Sequence, residues 1–451
     1  MSRGRGRGGN RAPAPVETAE VVSLAHDGRG VAKIDGKAIF VAGALPGEQI
    51  TLQRLRKQRS ADEARLVEVL RAAPERVEPP CQHYGLCGGC ALQHMESGAQ
   101  VAAKQQQLLE ELVRIGHVTP EAVLPPLTAA TTGYRRRARV GARFVEKKGK
   151  VVVGFREKEG SLITDVTRCE VLAAPVADLP GKLSALFTTL AARERLPQVE
   201  ISVGEGRPVL VLRHLVPLVE DDLAKLRAFG EAEGMDWWLQ PEGPDSIAPL
   251  DPTAARQLRY SLPAENVQLD FQPLDFIQVN GPLNRAMVAH ALQQLEVQPG
   301  DSVLDLFCGL GNFTLPLARH AREVHGVEGD VGLVARARAN AEANGLTNVT
   351  FSVANLFEPV NDFAWAKRHW DKVLLDPARA GAREILPMVV AAKPSRIVYV
   401  SCHPGSLARD AGILVNELGY VNRAAGIMDM FPHTGHVESI AVFEPAPGRR
   451  G

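Results

Sequence analysis

From Asp275 onward, short apolar runs alternate with polar, helix-compatible stretches, and this alternation restricts the fold more than any other feature of the chain. The runs are "SVLDLFCG", "EVHGVEG", "VTFSVAN", "KVLLDPA", "RIVYVSC" and "ESIAVFE", with helical stretches such as "LVARARANAEANG" between several of them. Strand and helix patterns in alternation build a largely parallel sheet covered by helices. Residues 274–447 are therefore expected to form a doubly wound, Rossmann-like α/β domain. Such domains bind ligands outside the carboxyl ends of their strands, so the residues just after each apolar run are the candidates for chemistry.

"VLDLFCGLGNFTLPLA" reads as a strand, a glycine turn and the start of a helix. Gly309 and Gly311 let a ligand approach the backbone, and Glu328 ends the next strand about 20 residues on, where an acid can bind ribose hydroxyls. Phe313 and Thr314 stand where a dinucleotide fingerprint has its third glycine. Bulk there disfavours a pyrophosphate and favours an adenosyl ligand without phosphates. With Asp305 and Glu328, the turn points to S-adenosylmethionine rather than NAD. Asp376-Pro377 and Ser401-Cys402 end two further strands and should open onto the same crevice.

A thiol beside a sulfonium methyl donor is a specific combination. Nitrogen and oxygen are nucleophilic without help, whereas pyrimidine C5 is not. A thiolate added to C6 makes an enolate whose C5 can accept a methyl group, after which a general base must remove the C5 proton. Cys402, at a strand end in "VYVSCHPGSLARD", is the expected nucleophile, and Glu438, opening the last strand in "HTGHVESIAVFE", the expected base. Cys308 lies in the cofactor turn and is expected only to pack. His433 and His436 read as a turn rather than a metal site.

Three more cysteines fall within ten residues, in "CQHYGLCGGC". The gap of five residues from Cys81 to Cys87, then two to Cys90, fits tetrahedral zinc poorly. Three close thiols with one distant partner suit an iron–sulfur cluster, and Cys169 is the free candidate for the fourth. Gly88 and Gly89 would let the backbone approach the sulfides.

Ahead of this segment, residues 1–15 are rich in Gly, Arg and Pro and are expected to be disordered. Residues 16–75 carry Asp27-Gly28, Asp35-Gly36 and Pro46-Gly47 between β-branched stretches, the pattern of a small OB-type barrel. Arg54, Arg56, Lys57 and Arg59 form a basic run there. Residues 76–273 read as a central α+β domain: a helix through "QVAAKQQQLLEELVRIG", then strands in "YRRRARVGARF" and "VVVGF". Arg135, Arg137, Arg139 and Arg143 would share one strand face, as an RNA-binding stripe or a salt-bridged face. Global charge does not choose between these, since Lys+Arg and Asp+Glu are both 52. No apolar run reaches 18 residues, so a cytoplasmic protein outside the membrane is expected, and nothing demands more than a monomer.

Taken together, these motifs resemble the RNA uridine C5-methyltransferases, most closely the bacterial 23S rRNA members with a TRAM domain and a [4Fe–4S] cluster. The resemblance covers nearly the whole chain beyond the tail. It implies cluster ligation by Cys81, Cys87, Cys90 and Cys169 in and beyond "CQHYGLCGGCALQH". It implies a cofactor and target-base region containing Gln278 of "FIQVNGPLNRAMV", Phe307 and Asn312 of "LDLFCGLGNFTLPLA", Glu328, Asn355 of "VANLFE" and Asp376 of "LLDPARAG". It also implies Cys402 as the attacking thiol, Glu438 as the base and 23S rRNA, free or in an assembling subunit, as the partner. In one departure, His403 stands where the family's nucleophile loop has asparagine. The barrel and cluster together favour this type over a tRNA-directed enzyme of the same chemistry. A non-catalytic iron–sulfur RNA-binding protein and a NAD-linked oxidoreductase are the other readings, the former opposed by intact Asp305, Asp376, Cys402 and Glu438.

Overall fold

The computed structural model describes residues 15–56, 59–253 and 256–448. Most of the Gly/Arg-rich tail and Lys57 of the basic run lie outside the described residues. The chain first closes a five-stranded barrel from β1 (Val16–Leu24), β2 (Gly30–Ile34), β3 (Lys37–Ala42), β4 (Gln49–Arg56) and β5 (Ala61–Arg71), in the order β1-β2-β3-β5-β4. The β2–β3 turn is Asp35-Gly36 with both φ positive, the geometry a two-residue hairpin between right-twisted strands requires. Alternate residues Ile39, Val41, Ile50 and Leu52 point inward and fill the barrel. Fully buried Glu48 accepts hydrogen bonds from the Leu45 N–H at 2.8 Å and from Arg76, tying the barrel to the segment that leaves it.

The cysteine segment that follows has no regular secondary structure and is held by backbone bonds, Gly88 N–H to Arg156 O and Lys158 N–H to Leu86 O. A side chain at Gly88 would collide with the Arg156 carbonyl, so the close backbone approach here requires glycine. Helix α1 (Ser97–Arg114) then buries a stripe four residues apart: Gln100, Lys104, Leu108 and Leu112. Its apolar half joins the core beneath the C-terminal sheet. Beyond it, the two-residue strand β6 (Ala122–Val123) pairs with the edge of that same sheet.

The central sheet has six strands in the order β12-β11-β10-β9-β7-β8. Its strands are β7 (Arg137–Val145), β8 (Lys150–Gly154), β9 (Gln198–Ser202), β10 (Val209–Arg213), β11 (Asp236–Gln240) and β12 (Ala248–Pro249). Helices α2 (Leu179–Thr188) and α3 (Glu220–Glu233) pack on it. The arginine strand starts at Arg137, so Arg135 precedes it in an isolated bridge. The stripe is also partly neutralised: Glu200 of β9 pairs with Arg139 at 2.6 Å and Arg137 at 3.6 Å.

A hairpin of β13 (Leu258–Leu262) and β14 (Val267–Phe271) leads into helix α4 (Gly281–Leu295) and the C-terminal domain. There β15 (Ser302–Leu306), α5 (Thr314–Ala318), β16 (Glu323–Glu328), α6 (Val331–Ala343), β17 (Val349–Val353), β18 (Lys372–Leu375), α7 (Leu386–Ala391), β19 (Arg396–Ser401), α8 (Pro404–Gly412), β20 (Tyr420–Met428) and β21 (Glu438–Pro445) follow. The sheet runs β17-β16-β15-β18-β19-β21-β20-β6. It is parallel from β17 to β19, while β21 is antiparallel to both β19 and β20. Strand order reverses between β15 and β18, and this switch point opens a crevice above their carboxyl ends. Two apolar cores, one on each face, complete the doubly wound arrangement. Strand β20, "YVNRAAGIM", is absent from the sequence reading because small and polar residues interrupt its apolar run. Among the described residues, no helix is long and apolar enough to cross a membrane.

Candidate active site

Four strand ends deliver acids and a thiol to the switch-point crevice. Asp305 lies within β15, fully buried, and accepts a hydrogen bond from Thr314 Oγ1 at 2.5 Å. Its other oxygen is buried without a hydrogen-bond partner. Burial, with Asp376 and Glu328 nearby, pushes its carboxyl up to about 8, against the pull of Thr314. Asp376 follows β18 and is pushed up by burial to about 7. Glu438, the first residue of β21, is buried and raised well above the carboxylate range by burial and by Asp376. A cation bound among these acids would favour their ionised forms.

Cys402 follows β19 directly and is half-buried. Burial, then Glu438 and Asp376, push its thiol up to about 11, with Arg379 pulling the other way. The pairing of Ser401 with Ser439 and of Leu375 with Tyr399 brings Cys402, Glu438 and Asp376 to neighbouring strand ends, and Arg379 lines the same groove as Cys402. Arg379 was passed over in the sequence although it stands three residues after Asp376 in "DPAR". Its Nη2 lies 2.9 Å from His436 Nδ1. His403, the departure from the family loop, caps α8: its Nδ1 accepts from the Ser406 N–H at 3.1 Å. That lone pair is thus unavailable to the thiol, and the imidazole does what a short amide does at a helix start.

The other cofactor-region residues surround the glycine turn. Glu328 ends β16 and already accepts from the N–H groups of Gly309, Gly329 and Asp330. Phe307 has a positive φ of 65°, strained for a side chain of its size, and its ring meets Phe357 at 5.7 Å between centroids. Asn355 is turned toward its own loop, accepting from the Phe357 N–H and donating to Glu358. The Asn312 amide is engaged by Asn284 in both directions and by the Tyr260 hydroxyl. Gln278 is buried, its carbonyl held by Arg136. Buried Cys308 is raised by burial and packs in the domain core.

From Cys402 a groove of about 920 Å³ runs outward between three parts of the chain. Arg379, Cys402, His403 and His436 form one wall, Gln107 and Glu111 of α1 another, and Ser23–Asp27 with Phe40 of the barrel a third. Gly435 approaches the His26 carbonyl so closely that any side chain there would clash. The barrel is therefore part of the active-site wall rather than a tethered module.

Cys81, Cys87, Cys90 and Cys169 all line a second cavity of about 270 Å³, with Arg135, Arg139 and Arg168 at its edge. Burial raises the thiols of Cys87, Cys90 and Cys169, and their neighbouring thiols add to the effect. Among the described residues, no three Cys, His, Asp or Glu side chains stand close enough to hold a single metal ion.

Comparison with known proteins agrees with this geometry. Residues 257–445 match the family model "tRNA (Uracil-5-)-methyltransferase". The 23S rRNA (uracil(1939)-C(5))-methyltransferase RlmD of Methylococcus capsulatus is 52% identical over 441 residues, spanning 97% of this chain and 100% of its own. The enzyme of the same name from Xanthomonas campestris pv. campestris is 52% identical over 433 residues, covering 95% and 97% of the two chains. The tRNA (uracil-54, C5)-methyltransferase of Pyrococcus abyssi, solved with S-adenosyl-L-homocysteine, shares the fold. It matches with a TM-score of 0.73 at 23% identity over 94% of this chain and 99% of that one. Thiol, acids, groove and near-complete coverage by these relatives converge on one assignment: the chain belongs to the family of 23S rRNA (uracil(1939)-C(5))-methyltransferases.

Proposed function

We propose that this protein methylates C5 of the uridine corresponding to position 1939 of 23S rRNA, the site named for its relatives, with S-adenosylmethionine as donor. The observation that carries the reading is Cys402 just past β19, at the mouth of a groove of about 920 Å³, beside the strand ends that carry Asp376 and buried Glu438. The glycine turn, Phe307, Asn312, Glu328, Asn355, Asp376 and Gln278 would hold the donor and the target base. The orphaned oxygen of Asp305 and the surplus of buried acid suit a cationic ligand. When bound, S-adenosylmethionine supplies an electrophilic methyl group on a sulfonium.

The chain's own residues supply the rest. Cys402 adds as thiolate to C6, forming a C–S bond and making C5 nucleophilic. Once C5 is methylated, Glu438 takes its proton, the C5–C6 double bond reforms and the thiolate leaves. Arg379, beside Cys402, opposes the acids that hold the thiol protonated. The four-thiol cavity would hold a [4Fe–4S] cluster on Cys81, Cys87, Cys90 and Cys169, fixing the central segment; no step of the reaction needs electron transfer. The barrel, as the first domain of an organisation at 16–75, 76–273 and 274–447, would act as a TRAM module that meets RNA at the groove in the cytoplasm. Mass spectrometry of 23S rRNA fragments from cells with and without the gene tests the assignment. One 5-methyluridine should vanish and return with the intact gene; a tRNA uridine losing its methyl group instead would overturn the rRNA assignment.

A further inference from the structure

The loop of residues 429–437 joins β20 to β21 and ends at Glu438, which pairs with Met428 in register. The loop therefore leads directly into the residue whose carboxyl is the proposed base. Besides its local turns, the loop is held by bonds from distant segments. Lys104 Nζ reaches Asp429 at 2.6 Å and the Phe431 carbonyl at 3.0 Å. The N–H groups of Ala91 and Leu92, just beyond Cys90, both donate to the His433 carbonyl, at 2.8 and 2.9 Å. Gln100 sits between these two attachments and touches both sides. Its Oε1 accepts from the His433 N–H at 2.9 Å, while its Nε2 donates to the Leu92 carbonyl at 3.0 Å and the Met95 carbonyl at 2.8 Å. The same Nε2 lies 3.2 Å from His433 Nδ1.

Gln100 is 1% exposed, in the buried stripe of a helix where an apolar residue would normally sit. A buried amide whose oxygen and both hydrogens are all engaged by backbone groups of two distant segments fixes their relative position, since each lost bond strands a buried partner. It does so 333 residues away in sequence from its partner in the loop. It does not line the groove at Cys402.

We propose that Gln100 is a positioning residue for proton removal, latching the loop that delivers Glu438 to the backbone of the cysteine segment. This rests on the methyltransferase reading above. The latch acts on the second half of the reaction: the thiol adds and C5 is methylated, but a carboxyl displaced by a fraction of an ångström removes the C5 proton slowly.

The test is Gln100→Met, which keeps side-chain length and removes every polar contact. In steady-state assays with 23S rRNA fragments and labelled cofactor, kcat should fall about tenfold to a hundredfold with both KM values within about twofold of wild type. Covalent protein–RNA adduct should accumulate during turnover, and iron content should stay at the wild-type level. Wild-type kcat with only a lower melting temperature, or a KM effect without adduct, would overturn the proposal. Gln100→Glu, which keeps the acceptor for the His433 N–H and loses both donated bonds, provides a second reading should the methionine variant not fold. It should lower kcat and accumulate adduct too, and normal turnover in that variant also overturns the proposal. Absence of methyl transfer by the wild-type protein would instead defeat the underlying assignment.

Discussion

The reactivity of Cys402 in the absence of ligands follows from its surroundings and can be measured directly. Burial and two neighbouring acids push its thiol from an ordinary 9.0 to about 11. Each pH unit below the midpoint reduces the thiolate tenfold, so at pH 7 about one molecule in ten thousand carries it. A thiol of this kind is protected from oxidation and alkylation until the site is filled. The perturbation is Glu438→Gln, which keeps the side-chain volume and removes one of the two acids. Burial is the largest cause of the displacement and survives the substitution. The midpoint should therefore move down yet remain above 9.0. The assay is the rate of iodoacetamide alkylation of Cys402 from pH 7 to 11, read by peptide mass spectrometry against Cys308 as an internal control. Wild-type rates should climb about tenfold per pH unit through pH 10, with the variant levelling off earlier. A wild-type plateau near pH 9, or coincident profiles for the two proteins, would refute the juxtaposition of thiol and acids.

Three further outcomes are expected. Asp305, fully buried and raised to about 8, takes up a proton on folding between its ordinary 3.8 and that value. Wild-type stability should therefore decline relative to Asp305→Asn as pH rises across this window and run parallel above it, as denaturant titrations at several pH values would show. Protein purified without oxygen should carry about four iron atoms and a matching count of acid-labile sulfide. Cys169→Ser should lower both, and full iron occupancy in that variant would remove Cys169 from the ligand set. Glu48→Ala strands the Arg76 guanidinium and the buried Leu45 N–H where barrel meets linker. Equilibrium unfolding should show a loss of about 3 kcal/mol, at the low end for a broken buried pair because Arg76 keeps some contact with solvent.

How far the sequence reveals this arrangement depends on the range of the interactions involved. The central strands β15, β18 and β19 are legible because a strand covered on both faces is nearly continuously apolar, and β16, β18 and β19 run into Gly, Asp-Pro and Ser-Cys steps that break the run. Cys402 and Glu438 are legible for the same reason, as polar groups at such ends. Of the arginine stripe, Arg137, Arg139 and Arg143 share strand β7 while Arg135 precedes it, and the choice between an RNA-binding and a salt-bridged face is not legible because the partner, Glu200, lies on a strand about sixty residues later. Asn312 shows the same limit: its amide looks free in the turn motif, yet Asn284 and Tyr260 from other elements occupy it. Gln100 and Lys104 of α1 look like solvent-facing residues in "QVAAKQQQ" until the loop they grip is folded beside them.

The most direct test of the account is the identity of the covalent intermediate. Glu438→Gln protein incubated with a 23S rRNA fragment and S-adenosylmethionine should accumulate a stable protein–RNA adduct. After nuclease and protease digestion, mass spectrometry should find one methylated uridine on the peptide carrying Cys402, and Cys402→Ala in the same background should give none. Normal product release by the Glu438→Gln protein, or an adduct on any other residue, would contradict the roles assigned to both.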